Sequence, residues 1–366
     1  MSPRWLVALI LTAATFSFAD DGRAHHPTLT TQTSGTTQLL IAVSPVNSRV
    51  VWASGTGGTY VVTTDGGNTW KAGVVPGAES LQFRSIHGVS DKIAYLMSIG
   101  DNTTDFRIYK TADSGQHWTI EFTNQLAGAF YDCFGFWTPR RGIAHSDSVN
   151  GVFPELRTEN GRTWRSIAAN MPPALPGEAS FAASDTCVAT EGEENAWVAT
   201  GAQSISARVL ATRDGGDTWN AYDTPLVTSP SAGAISVAFR DPWHGIVGGG
   251  DLASNASADA ATSDDGGRTW TLTSPPPVKG AIFCLAYVQG KRHDERDDDD
   301  PDFKRTVVIT AETAPDFDSG SAAWTPDEGR TWHTLPNVSG YWAVGFANPH
   351  AGWFVGNNGQ ILKISF

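Results

Sequence analysis

The chain has 366 residues, including 38 Gly, 20 Pro and 14 Trp, with 40% hydrophobic and only 17% charged side chains. That mix excludes a disordered chain, because enough apolar surface is available for burial, and a long helical one, because Gly and Pro disfavour helix interiors. Lys+Arg 25 against Asp+Glu 38 gives a net charge of −13, which excludes nucleic acid as a partner, since its phosphates demand a basic face.

Residues 1–19 read as a secretory signal peptide. Arg4 precedes an apolar run from Trp5 to about Phe18, and Ser17 and Ala19 supply the small residues of a cleavage site. The run is short for a membrane span, which needs about 20 residues. The mature chain is therefore expected to be exported, periplasmic or secreted, with no span left after cleavage.

From residue 63 onward one octet recurs, Ser/Thr-x-Asp-x-Gly-x-x-Trp. Its copies carry Asp65 and Trp70, Asp113 and Trp118, Asp214 and Trp219, Asp265 and Trp270, and Asp327 and Trp332. A degenerate copy carries Glu159 and Trp164, with Arg157 at the hydroxyl position. The interval of about 50 residues suits a four-stranded propeller blade. The octet is expected to form the turn between third and fourth strands. Gly would supply a positive φ, Asp would accept backbone N–H groups, and Trp would fill the gap between blades. Repetition in every unit makes these carboxylates structural rather than catalytic.

The final unit, from Gly340, holds only three strands before the chain ends, and the segment 27–34 can add the fourth. The expectation is an all-β fold: one seven-bladed β-propeller over 20–366, its ring closed by that N-terminal segment. Closure removes a free sheet edge. The sixth unit carries an acidic insertion at 291–305, including Arg292-His-Asp-Glu-Arg-Asp-Asp-Asp-Asp-Pro301. It reads as a solvated loop; the spaced ligands and Gly of an EF-hand are missing.

The octet resembles the Asp-box, or bacterial neuraminidase repeat, and the whole unit resembles the repeat of photosystem II stability/assembly factors. The last stretch, Gly352-Trp-Phe-Val-Gly-Asn-Asn-Gly-Gln-Ile-Leu-Lys363, and the early Gln32-Thr-Ser-Gly-Thr36 and Ala53-Ser-Gly-Thr-Gly-Gly58 are similar to exported bacterial members of that superfamily, often loosely labelled oxidoreductase or glycosyl hydrolase. The resemblance implies the fold; an activity has to come from a site. Gly55-Thr-Gly-Gly58 lacks the spacing of a dinucleotide loop and precedes a strand, not a helix. No haem-attachment motif occurs, so no cofactor and no metal is assigned. A sialidase would need a Phe/Tyr-Arg-Ile-Pro segment, and the nearest fragment, Phe83-Arg84-Ser-Ile86-His87, lacks the Pro.

In a propeller, the loops between second and third strands and those entering each inner strand share one face, the top. They collect Arg84, Asp101, Asp105, Tyr131, Asp132, Asp147, Asp251 and Trp342, with Asp316 and Asp318 beside them. These residues are the candidate binding surface, since loops on a rigid scaffold usually carry binding. Cys133, Cys187 and Cys284 fall at equivalent inner-strand positions. Small buried side chains explain that equivalence; a Cys133–Cys187 disulfide between neighbouring blades is the alternative. The expected function is a non-catalytic scaffold binding a protein partner through its top face. The alternative is a glycan-binding or glycoside-hydrolase-like propeller in which Asp132, Asp147 or Asp105 act as acid and base, with Tyr131 or Trp342 stacking on sugar.

Overall fold

The computed structural model describes residues 26–201, 203–290, 301–315, 317 and 319–366. The expected signal peptide, most of the acidic insertion, Asp316 and Asp318 lie outside the described residues.

The octet's residue types act locally. Thr63 Oγ1 donates to Asp65 Oδ1 at 2.8 Å and accepts the Gly67 N–H at 2.9 Å. The Asp65 carboxylate in turn accepts Thr69 N–H at 2.9 Å and Thr69 Oγ1 at 2.7 Å. Bonds from Thr69, side chain first, favour the charged form and pull the Asp65 pKa down to about 2. Gly67 sits at φ 86°, a conformation that costs a residue with a Cβ. The copies at Asp214, Asp265 and Asp327 repeat this pattern, and at Asp113 the ring of His117 replaces the second hydroxyl.

The degenerate copy departs from expectation. Thr158, not residue 157, supplies the hydroxyl to the Gly161 N–H, and Asn160 Oδ1 accepts Arg162 and Thr163 N–H. Glu159 is therefore not the turn carboxylate; it points outward to Arg157 at 3.0 Å and Arg141 at 3.3 Å. This turn has one residue fewer between hydroxyl and Gly, so the shorter Asn side chain occupies its centre.

Among the described residues the strands form five four-stranded sheets and one eight-stranded sheet, all paired antiparallel, and helix is limited to three-residue 3-10 turns. In chain order the first sheet runs from Leu40–Pro45 to Lys71–Val74, the second from Gln82–Gly88 to Thr119–Thr123, the third from Tyr131–Phe136 to Trp164–Ser166, and the fourth from Val188–Glu191 to Asn220–Asp223. The eight-stranded sheet has a front half, Ala232–Phe239 to Thr271–Leu272, and a rear half, Ala281–Tyr287 to His333–Leu335, joined by the single pair Gly250 and Ala281. In the closing sheet, Tyr341–Asn348, Ala351–Gly356 and Gln360–Ser365 are completed by Thr28–Thr33, which pairs in register from Thr28 with Ser365 to Thr33 with Gln360. Both ends of the described chain thus share one sheet, and the result is an all-β propeller.

Packing between sheets falls to aromatics. Trp52, Trp197 and Trp353 on second strands are fully buried. The indole of Trp52 donates to Ser90 O and that of Trp197 to Gly266 O, both at 2.8 Å and both in the next repeat of the chain. The inner strands surround a channel whose cavity measures about 170 Å³, lined by Val43, Ile86, Phe134, Val188, Val237, Leu285 and Val344.

Candidate functional site

Strand alternation decides which side chains can meet at the top. Six inner strands shift register by one residue, at Ile41, Arg84, Asp132, Ile235, Phe283 and Trp342. A bulge re-aims the extra side chain, and here Ile41, Ile235, Phe283 and Trp342 converge on Ala183 in one apolar cluster. The fourth sheet begins later, at Val188, and the residues before it cross the channel mouth instead. Ser184 Oγ donates to Phe283 O at 2.6 Å, and Thr186 O accepts Val237 N–H at 2.8 Å. Asp185, at φ 69°, accepts the N–H groups of Ile86 at 3.0 Å and Phe134 at 3.2 Å. Those inner-strand amides face the channel and lack a sheet partner, so the carboxylate satisfies donors that would otherwise be orphaned. Segment 179–186 therefore plugs the top of the channel.

The plug governs most of the predicted residues. Arg84 donates from Nη1 to Ala182 O at 2.9 Å and from Nη2 to Gln82 Oε1 at 2.8 Å, and its guanidinium lies 5.3 Å from the Trp342 ring centroid. Burial pulls its pKa down to about 10, against the opposing charge of Asp132. Asp132 is 1% exposed, and its neighbour Asp147 accepts Ser180 N–H at 2.7 Å. Burial, reinforced for Asp132 by the Asp147 charge, pushes the pKa of both carboxyls up. A neighbouring carboxylate disfavours a second negative charge.

Tyr131 and Trp342 were expected as exposed aromatics. They are buried, at 3% and 6% exposure. The Tyr131 hydroxyl donates to Pro154 O, and Trp342 packs edge-on to Phe283 at 5.1 Å. Trp342 is the extra residue of its bulge and packs in the cluster with Ala183 of the plug, whereas Tyr131 packs against Phe122 in the core beside the second sheet. Asp105 caps its own 3-10 turn through Asn102, and Asp251 accepts Ser231 Oγ at 2.7 Å and Ala253 N–H at 3.0 Å. Asp101 stays exposed. The structure thus brings Arg84, Asp132, Asp147 and Trp342 to one mouth and leaves Asp101, Asp105 and Asp251 in separate loops. Asp132 is buried, so it is not open to a sugar at the mouth.

Sequence reasoning missed Asp185 and the plug. The signal was the long Pro-, Ala- and Ser-rich link between Trp164 and Cys187. Cys133 and Cys187 form a disulfide with Cα atoms 6.0 Å apart, joining the third sheet to the residue that follows the plug; Cys284 is free and buried. Beneath the link, Glu178 binds Arg208 and Thr200 in a buried cluster, and His145 meets Glu155 at 2.7 Å with both side chains fully buried. Among the described residues no group of three or more His, Cys, Asp or Glu is arranged to hold a metal ion, and no described helix is long and apolar enough to cross a membrane.

The raised carboxyls make a pH prediction. A group whose pKa rises on folding stabilises the fold below its unfolded pKa, and that contribution is lost as pH rises through the folded value. Asp132→Asn should therefore flatten the fall in stability from mildly acidic to alkaline pH, a fall limited to about 1.4 kcal/mol per pH unit for one retained proton. Urea melts across that range provide the check, and equal slopes for wild type and variant would refute it.

Neither a protein-family profile nor a curated protein matches the sequence. Solved structures do. YCF48 bound to D1 peptide aligns with TM-score 0.62 at 16% identity, over 92% of this chain and 97% of that one. The chain has a YCF48-like propeller fold. YCF48 from Cyanidioschyzon merolae gives TM-score 0.62 at 17% identity over 92% and 98% of the two chains. The GH74 xyloglucanase from Xanthomonas campestris gives TM-score 0.59 at 14% identity, and the YCF48-like propeller, over 92% of its length, spans only 53% of that enzyme.

Proposed function

We propose that this chain is an exported, non-catalytic, seven-bladed propeller that presents its top face to a protein partner, in the manner of an assembly or stability factor. The count of seven is supported by the eight-stranded sheet, whose two halves are joined by one residue pair. Export is supported by the signal-like residues 1–19 and by a disulfide suited to an oxidising compartment. The observation that carries the reading is the plugged channel mouth. Arg84 and Asp147 bond the plug, and Asp132 and Trp342 are buried beside them, leaving the top face a surface of loops. YCF48, which shares the fold, has been solved with a peptide. A glycoside hydrolase is disfavoured by the burial of Asp132, Tyr131 and Trp342.

Amine crosslinking of the purified protein in envelope extracts, followed by mass spectrometry, tests the orientation. Lys279 is exposed in a link on the top face, whereas Lys92 and Lys304 are exposed on the octet side. Crosslinks to a specific partner are expected at Lys279. Crosslinks confined to Lys92 and Lys304, or no specific partner, would refute the reading.

A further inference from the structure

Charge is distributed unevenly over the two faces. The octet side carries an ionised group in each turn, among them Asp65, Asp113, Arg162, Asp214, Asp265 and Asp327. The top face over the third and fourth sheets and the front half of the eight-stranded sheet is different. Its links, 124–130, 148–154, 167–177, 203–207, 224–231 and 252–258, contain no Asp, Glu, Lys, Arg or His at all. Of the acids next to them, Glu155 and Glu178 are fully or nearly fully buried, Asp259 accepts Val227 N–H at 2.7 Å, and the half-buried Asp147 and Asp251 accept Ser180 N–H and Ser231 Oγ, both at 2.7 Å. Asp223, at the outer rim, is bonded by Ser206.

The same links expose large aliphatic side chains. Leu126 is 47% exposed, Val152 48%, Ile205 84% and Val227 50%. The loops form one continuous arc. Ala174 N–H bonds Gly151 O, Gly201 N–H bonds Ala179 O, Thr224 N–H bonds Ala207 O, and Leu252 N–H bonds Ser231 O. Exposed aliphatics joined by charge-free loops in a chain of net charge −13 make a patch that solubility alone does not explain, and depletion of charge is what marks the centre of an interface.

We infer, resting on the scaffold reading above, that this arc is the docking surface and that its occupant is an uncharged, aliphatic-rich peptide segment of a partner protein. A charged segment would shed its hydration here without meeting a counter-charge. Two copies of this chain would each bring a net charge of −13 to the contact, which favours a neutral segment of another protein over self-association. Exposed Gln125, Asn150, Gln203 and Asn255 interleave with the aliphatics and offer hydrogen bonds to a peptide backbone.

The test pans a phage-displayed random-peptide library on the full chain at about 150 mM NaCl, without prior subtraction. Circular dichroism establishes that each variant is folded. Clones rich in Leu, Ile, Val, Met or Phe and poor in charge are expected. Ile205→Asp should weaken the corresponding synthetic peptides by about tenfold or more, and raising NaCl from about 50 to about 500 mM should change their affinity by less than about twofold. Glu79→Lys and Asp101→Lys, on the opposite side of the top face, should leave binding unchanged. Charged peptides with strong salt dependence would overturn the proposal. So would a dimer abolished by Ile205→Asp, or flotation with neutral phosphatidylcholine vesicles. Peptides lost with Glu79→Lys or Asp101→Lys but kept by Ile205→Asp would overturn the arc and leave the scaffold reading standing. Peptides unaffected by any of these variants would overturn both.

Discussion

Trp197→Ala should lower stability by about 3–5 kcal/mol, the range for removing a large buried aromatic without collapse of the site. Trp197 has no exposed surface, and its ring stacks on Phe239 with centroids 3.6 Å apart and planes 6° from parallel. Trp270 meets that same Phe239 edge-on at 6.0 Å. One indole therefore couples the fourth sheet to the front half of the eight-stranded sheet. Gly266 O would keep its bond from Arg213 after the indole is gone, so the loss reports packing more than an orphaned carbonyl. Trp197→Phe, which retains an aromatic ring against Phe239, should cost clearly less. Guanidinium unfolding of both variants makes the comparison, and an alanine cost below about 1 kcal/mol would show that packing between sheets is not the main source of stability.

The second large effect concerns Cys133 and Cys187. Replacing both by Ala should cost about 4 kcal/mol on the loop-entropy account, because the bond closes a loop with a sequence separation of 54. Both cysteines are buried, so reductant alone should act slowly on the folded protein. The variant should also show a local signature. Cys187 follows directly on Thr186, and the plug depends on residues held between this bond and the rear half of the eight-stranded sheet. Hydrogen exchange at the Ile86 and Phe134 amides, both bonded to Asp185, should accelerate more than at amides of the closing sheet. Uniform acceleration would mean that the bond stabilises the ring without anchoring the plug.

The turns were legible in the sequence because their chemistry is local. Thr212, Asp214, Gly216 and Thr218 lie within one octet, and their bonds need no other part of the chain. The exception at Glu159 shows the limit of that reasoning. A pattern matched on Gly and Trp places Glu at the Asp position, whereas the turn is closed by whichever side chain has the right length, here Asn160. The pairing of Thr28–Thr33 with the last strand followed from a missing partner for a sheet edge, again a rule that needs no coordinates.

The candidate site was legible only as a set of loops. Arg84, Asp132 and Trp342 were read as parts of one binding surface; the structure buries Asp132 and Trp342 and leaves Arg84 mostly enclosed. A sequence shows that a residue lies on an inner strand, but a bulge depends on the register with the neighbouring strand, and a plug depends on what lies across the ring. The repeat, the octet turns, the excess of acidic residues and the charge-free links were written in the chain itself, because they depend on neighbours a few residues away. Ring closure alone brought residues 84, 132, 183, 185, 283 and 342 to one point and set the uncharged links side by side. Contacts between residues so far apart in sequence exist only once the sheets have packed around a common axis.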